Sequence, residues 1–134
     1  MAMEQTSFTR DDLLACARGD VSRLPDPEFK PQTVICVVLA AKGYPDSPLE
    51  GSIIRGAEQD FGPHVQVFHA GTRRRPDGQL AAAGGRVLNV CAEGDDIAEA
   101  RERAYAAIRR IDWPGGFHRT DIGYRAIARE KGES

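Results

Sequence analysis

An unbroken run of apolar, mostly β-branched residues at 33–40 is the feature that most limits how this chain can fold. The run is short and rich in valine and isoleucine, so it predicts a β-strand rather than a helix. It shows no alternation of polar and apolar side chains, which predicts a strand buried on both faces. The rest of the chain must therefore supply partner strands and at least one covering layer.

Further strands are predicted on both sides of strong turn signals. The Asp77-Gly78 pair is typical of a tight hairpin turn. Alternation of apolar and polar residues places Val65, Val67 and His69 on one face of a strand. The predicted strands after the first are 53–54, 65–69, 80–83 and 86–92, the last two flanking Gly84-Gly85.

One long helix is predicted after the strands, at 97–111. Asp96 and Glu99 resemble a capping box at its start, and Pro114 with two glycines is expected to end it. Its apolar residues recur at three- and four-residue steps and form one stripe: Ile97, Ala100, Ala104, Ala107, Ile108 and Ile111. Strands followed by one long helix predict an α+β fold: a mainly antiparallel sheet with this amphipathic helix packed on it.

The chain of 134 residues suits one domain with flanking segments. Residues 1–31 are interpreted as a start introduced by cloning (Met1-Ala2-Met3), a helix at 10–18 capped by Thr9, and a proline-rich linker. Residues 32–130 are interpreted as the folded domain, with a helical segment at 124–130, and 131–134 as a tail. The second methionine suggests a piece of a longer protein.

Composition excludes several classes of function. The formal net charge of -2 argues against a general electrostatic clamp on nucleic acid, and the short run Arg73-Arg74-Arg75 fits a solvated hairpin tip. No apolar run is long enough to span a membrane, and the polar N-terminus shows no secretory signal. We therefore expect neither a nucleic-acid nor a membrane partner.

The cysteine and histidine positions bear on redox setting and metals. Three widely spaced cysteines argue against a disulfide framework and against zinc, and they predict a reducing, cytoplasmic setting. Cys36 and Cys91 are expected to be small core residues. The three histidines also lack metal-ligand spacing, so no metal is expected in this chain.

Three glycine-bearing loops carry the polar residues best suited to bind a ligand. They are Lys42-Gly43-Tyr44-Pro45, His69-Ala70-Gly71-Thr72 and Gly84-Gly85-Arg86. A cation beside open backbone N–H groups is suited to an anionic ligand. Each loop also has a plain structural interpretation: a turn with a solvated lysine, a strand end with a satisfied histidine, and a β-bulge. Residue chemistry alone leaves both interpretations open.

Five ordered motifs within 33–128 resemble the C-terminal domain of the phosphoribosylamine–glycine ligase (glycinamide ribonucleotide synthetase) family. The motifs lie at 37–45, 67–72, 84–90, 98–105 and, in two pieces, 111–113 with 119–126. Two positions depart from the family pattern. Asp46 stands where glycine is usual, which bears on the loop's backbone conformation, and Tyr124 where tryptophan is common.

The resemblance implies part of an ATP-grasp ligase of purine biosynthesis that joins glycine to 5-phosphoribosylamine, with ATP and Mg²⁺ held by N-terminal and ATP-grasp domains that precede this segment. The fragment is then expected to be inactive alone and to bind neither cofactor. The resemblance implies candidate substrate contacts in the three loops: Lys42, Gly43, Tyr44, His69, Gly71, Thr72, Gly84, Gly85 and Arg86. Two alternatives stay open. One is a standalone structural or interaction module. The other is the C-terminal domain of a different ATP-grasp enzyme, such as a biotin carboxylase.

Overall fold

The computed structural model describes residues 9–132, so Met1-Ala2-Met3 and the last two residues of the expected tail lie outside the described part. The helices are α1 (Arg10–Arg18), α2 (Ile97–Arg109) and α3 (Tyr124–Glu130). The strands are β1 (Thr33–Ala41), β2 (Ile53–Ile54), β3 (Val65–His69), β4 (Thr72–Arg74), β5 (Leu80–Ala82), β6 (Arg86–Gly94) and β7 (Gly116–Phe117).

The strands form two antiparallel sheets. The larger has the order β3-β6-β1-β7, and the smaller has the order β2-β5-β4. The hairpin between β4 and β5 turns at Asp77-Gly78, where Arg75 N–H donates to the Gln79 carbonyl oxygen at 2.8 Å. The predicted hairpin and the α+β class with an antiparallel sheet are both confirmed.

Helix α2 covers one face of the larger sheet. Its buried residues are Ile97, Ala100, Ala104, Ala107 and Ile108, which is the predicted stripe without the half-buried Ile111. The small alanines bring the helix close to β1 and β6, where Val37, Leu88 and Val90 are fully buried. The core therefore lies between this helix and one side of the sheet.

The ends of α2 differ in detail from the prediction. The Asp96 side chain accepts a hydrogen bond from Glu99 N–H at 2.8 Å, but the Glu99 carboxylate accepts from Asp95 N–H rather than from Asp96, so only half of the capping box forms. The helix ends at Arg109 rather than at 111. The last turn tightens because Ile111 N–H donates to Ile108, and Asp112 then pairs with the backbone of Arg55.

The prediction that β1 is buried on both faces is wrong. Burial alternates along the strand: Ile35 and Val37 are buried, whereas Val34 and Val38 are exposed. Cys36 is likewise exposed and Cys91 only half-buried, so neither is a full core residue. The physical reason is that α2 covers one side of the antiparallel sheet and leaves the opposite side, the open face, uncovered within residues 9–132.

Two short strands were not expected from the sequence. β4 continues the His69 to Thr72 loop, and β7 adds Gly116–Phe117 to the outer edge of β1. Helices α1 and α3 have the expected bounds, with the Thr9 side chain capping α1 and left-handed Gly19 ending it. Across residues 9–132, no helix has the length and apolar character that crossing a bilayer requires.

Candidate functional site

The first and third glycine-bearing loops meet where β1 ends and β6 begins. Ala41 N–H donates to the Gly85 carbonyl oxygen at 2.8 Å, and a register shift between Leu39 and Ala40 marks a bulge there. The Tyr44 ring lies directly against Gly85: a Cβ added to Gly85 would come within 2.8 Å of Tyr44 Cε2 and closer still to Cδ2. Glycine is therefore required at position 85 for the ring to occupy this place.

The second loop joins the same cluster through its backbone. Ala83 N–H donates to the Gly71 carbonyl oxygen at 2.8 Å. A Cβ on Gly71 would lie 2.7 Å from the Arg86 carbonyl oxygen and 3.3 Å from Gly84 Cα. The three loops thus meet at one end of the larger sheet, and glycines permit the close backbone approach.

A cavity of about 510 Å³ opens beside this meeting point, within the range of small-molecule sites. Its lining residues are Val38, Tyr44, Ala70, Gly85, Arg86 and Asn89. Val38 and Asn89 are directly opposed on β1 and β6, so the cavity lies on the open face. The exposed Arg86 guanidinium makes no hydrogen bond or ion pair with any residue in 9–132, and it is free to bind an anion.

His69 and Thr72 face elsewhere. His69 lines a separate groove of about 380 Å³ with Glu58 and Phe61, and its Nδ1 lies 3.1 Å from Thr72 Oγ1. In that groove the hydrogen bond from Arg74 lowers the pKa of Glu58, with the Arg74 and His69 charges adding to the effect. The two candidate side chains therefore satisfy each other outside the Arg86 cavity.

Lys42 and Gly43 serve the loop backbone. Lys42 N–H donates to the Gly115 carbonyl oxygen at 2.9 Å, and its side chain is not part of the cavity wall. Gly43 has a φ of 90°, and a Cβ there would collide with the Ser47 carbonyl group. Asp46 needs no left-handed backbone, since within residues 9–132 only glycines have positive φ.

Three cavity residues were not among the sequence candidates: Val38, Ala70 and Asn89. The alternation of Leu88, Asn89 and Val90 already placed Asn89 opposite the core side of its strand. A polar amide directly between the buried Leu88 and Val90 was the signal that the sequence offered. Val38 lies within a run that has no alternation of polar and apolar residues, so the neighbouring sequence does not show which face of the strand it occupies.

The described residues do not supply a metal centre of their own. Within 9–132, no three or more His, Cys, Asp or Glu side chains cluster closely enough to hold a metal ion. Carboxylate oxygens are the usual ligands of Mg²⁺, so the residues described here do not fit a dedicated magnesium site. The cavity is instead suited to an anionic or hydrogen-bonding ligand.

Residues 34–125 match the model of the protein family described as "Phosphoribosylglycinamide synthetase, C domain". Similar curated proteins carry the name phosphoribosylamine–glycine ligase. The protein from Phenylobacterium zucineum is 57% identical over 117 residues, covering 87% of this chain and 28% of the relative. The chloroplastic protein from Arabidopsis thaliana is 46% identical over 121 residues, covering 89% of this chain and 23% of the relative.

A solved structure agrees with these matches. The crystal structure of phosphoribosylamine–glycine ligase from Thermotoga maritima aligns with a TM-score of 0.68 at 34% identity. The alignment covers 81% of this chain and 26% of that chain. The chain therefore spans roughly a quarter of the length of the proteins it matches, and the shared enzyme name does not favour the two alternative interpretations.

Proposed function

Since the chain belongs to the family of phosphoribosylglycinamide synthetase C domains, we propose that it acts as the C-terminal part of a ligase that joins glycine to 5-phosphoribosylamine. The observation that carries the proposal is the unpaired Arg86 guanidinium at the cavity built by Tyr44 and Gly85. A guanidinium binds a phosphate through two parallel N–H donors, and phosphoribosylamine carries such a group.

In the whole ligase, ATP would transfer its terminal phosphoryl group to the glycine carboxylate, giving an acyl phosphate and ADP. The amine of phosphoribosylamine would then attack the acyl carbon, forming the C–N bond and releasing inorganic phosphate. This chain's part is to bind and orient the sugar phosphate. Arg86 supplies the positive charge, Gly85 lets the ligand approach the backbone, and Tyr44 forms one wall. The Asn89 amide offers a donor and an acceptor to the sugar hydroxyl groups.

The remaining three quarters of the ligase would hold ATP and Mg²⁺ in its N-terminal and ATP-grasp domains. Those domains are the proposed partners of residues 32–130, and the cavity's position on the open face supports this arrangement. The fragment alone is therefore proposed to be inactive. We propose the cytoplasm as its compartment, a setting in which three free thiols stay reduced.

A chimeric ligase tests this role directly. The chain would replace the matching segment of the Phenylobacterium zucineum protein, and Arg86→Ala would then be introduced. Loss of a charge-assisted hydrogen bond predicts an increase in KM for phosphoribosylamine of about 10- to 100-fold, with an unchanged KM for ATP. The control is Arg73→Ala, because Arg73 is also exposed but lies on β4, outside the cavity.

The outcomes separate two claims. An active chimera whose Arg86→Ala form keeps the original KM and kcat would show that Arg86 has no substrate role. A folded chimera with no activity would count against the chain being this ligase's C-terminal part. Calorimetric titration of the 134-residue chain with ATP should give no binding. Tight binding would contradict the proposal that the N-terminal and ATP-grasp domains hold the ATP.

A further inference from the structure

Cys36 and Cys91 face each other across the two central strands. They are direct register partners in the antiparallel pair of β1 and β6. Cys36 lies between the exposed Val34 and Val38, so its side chain is on the open face. Cys36 is exposed and Cys91 half-buried, so small molecules can reach the pair.

The backbone pattern shows which kind of cross-strand pair this is. Glu93 N–H donates to the His64 carbonyl oxygen at 2.9 Å, so the backbone groups of Glu93 point toward β3. Residues two apart in a strand point their backbone groups the same way, so those of Cys91 also point toward β3 and away from β1. Cys36 and Cys91 therefore form a non-hydrogen-bonded pair, the type in which side chains lie closest and Cα atoms are about 4.5 Å apart.

This spacing is compatible with a covalent bond between the two sulfur atoms. Disulfides are found with Cα atoms roughly 4.4–6.8 Å apart, a range that includes a non-hydrogen-bonded pair. The pKa of Cys91 agrees with this proximity, because burial, followed by the hydrogen bond with Cys36, raises it to about 12. Cys91 therefore holds its proton more firmly than an ordinary thiol, and the exposed Cys36 is the thiol that a small-molecule oxidant reaches first.

We propose that Cys36 and Cys91 form an oxidisable dithiol that reacts with small-molecule disulfides such as oxidised glutathione. The Cys36 sulfur, after losing its proton, attacks one sulfur of the reagent and releases one reduced thiol. The Cys91 sulfur then loses its proton and attacks the Cys36 sulfur of this mixed disulfide, releasing the second thiol. The net change joins the two protein sulfurs and yields two molecules of reduced reagent, so the disulfide reagent is the oxidant.

The third cysteine provides an internal contrast. Cys16 is exposed on α1 and is far along the chain from the sheet. It has no opposed cysteine in residues 9–132, so a reaction there stops at a mixed disulfide. Replacing it with serine leaves the cross-strand pair as the chain's two thiols.

The test uses the folded 134-residue chain carrying Cys16→Ser, incubated with oxidised glutathione and followed by thiol titration and intact-mass measurement. We expect both thiols to be lost together, a mass decrease of two hydrogen atoms, no retained glutathione and full reversal by dithiothreitol. A second replacement, Cys91→Ser, should trap glutathione on Cys36. The oxidised Cys16→Ser chain should also melt at a higher temperature than its reduced form.

Two results would overturn the proposal. One is a stable glutathione adduct on the Cys16→Ser chain, showing that Cys91 does not complete the bond. The other is survival of both thiols under conditions that modify the double variant. Neither result depends on ligase activity, so this experiment tests the dithiol proposal independently of the proposed function.

Discussion

The ring of Tyr44 occupies the space where any side chain at position 85 would begin, since an added Cβ would come within 2.8 Å of Tyr44 Cε2. The Tyr44 wall of the candidate site therefore requires that position 85 carry no Cβ. The contact joins the loop after β1 to the turn before β6, two segments far apart in the chain. It links the two loops that build the Arg86 cavity.

Gly85→Ala should displace the Tyr44 ring rather than the backbone, because the half-exposed ring can swing outward. We expect a stability loss of about 1 kcal/mol and, in the chimeric ligase, weaker phosphoribosylamine binding. The matched control is Gly84→Ala, whose Cβ would make ordinary contact 3.5 Å from Gly71 Cα. Denaturant unfolding and KM measure the two effects, and equal behaviour of both variants would contradict this account.

Gly71→Ala should cost more than Gly85→Ala, because its Cβ would meet backbone. The Arg86 carbonyl oxygen would lie 2.7 Å away, and it is fixed by the strand. A loss of about 2–3 kcal/mol is expected on urea unfolding followed by the fluorescence of Trp113, the chain's single tryptophan. Adding Tyr44→Ala should restore stability to the Gly85→Ala variant but not to the Gly71→Ala variant. If Tyr44→Ala restored the stability of Gly71→Ala, the clash of the added Cβ with the Arg86 carbonyl oxygen would not be the cause of the loss.

Much of this fold could be predicted because its signals are local. Asp96 and the three- and four-residue spacing of the apolar stripe define where α2 begins and which side it buries. The Asp77-Gly78 pair defines the hairpin between β4 and β5. In both cases the residues that determine the structure lie within a few positions of it.

The open face of the sheet could not be predicted, because it depends on what packs over the sheet rather than on the strand itself. Val37 is fully buried and Val38 is 40% exposed, yet they are the same residue type in adjacent positions. The short β7 is a similar case, since Gly116–Phe117 becomes a strand only through pairing with Ala40 and Ala41. Neither feature has a signal within its own segment.

For the site, the glycines and polar residues of the sequence singled out the three loops, and the resemblance implied a substrate role for them, but neither separated the side chains that share a cavity. Arg86 and Tyr44 line one cavity and His69 another. The alternation of Val65, Val67 and His69 already placed the histidine on the strand side opposite Phe68. The register of β3 against β6 was needed to see that this side is not the one bearing Asn89.

The half-buried thiol of Cys91 predicts a loss of stability at alkaline pH. Burial and the contact with Cys36 raise the pKa of Cys91 from 9.0 to about 12. Between these values the unfolded chain releases the thiol proton and the folded chain keeps it, so the free energy of unfolding falls as pH rises. Urea unfolding under reducing conditions, at about pH 8 and about pH 10.5, should show a smaller fall for Cys91→Ala than for the original chain. Cys16→Ala, in exposed α1, should keep the original fall, and an unchanged fall in Cys91→Ala would refute the assignment.

A negative charge at position 38 tests whether the cavity, rather than the whole open face, receives the anionic substrate. Val38 lines the cavity, and Val34 lies on the same face of β1, four residues and roughly 13 Å away. Both side chains are exposed, so Val38→Glu and Val34→Glu should each leave the chain's unfolding free energy within about 0.5 kcal/mol of the original. In the chimeric ligase, Val38→Glu should raise KM for phosphoribosylamine about 10-fold or more, because a carboxylate beside Arg86 repels the substrate phosphate and pairs with the guanidinium in its place. Val34→Glu should leave this KM unchanged. If both variants abolish activity alike while the isolated chains stay folded, the face acts as a domain-docking surface along its length, and the cavity has no separate role in binding phosphate.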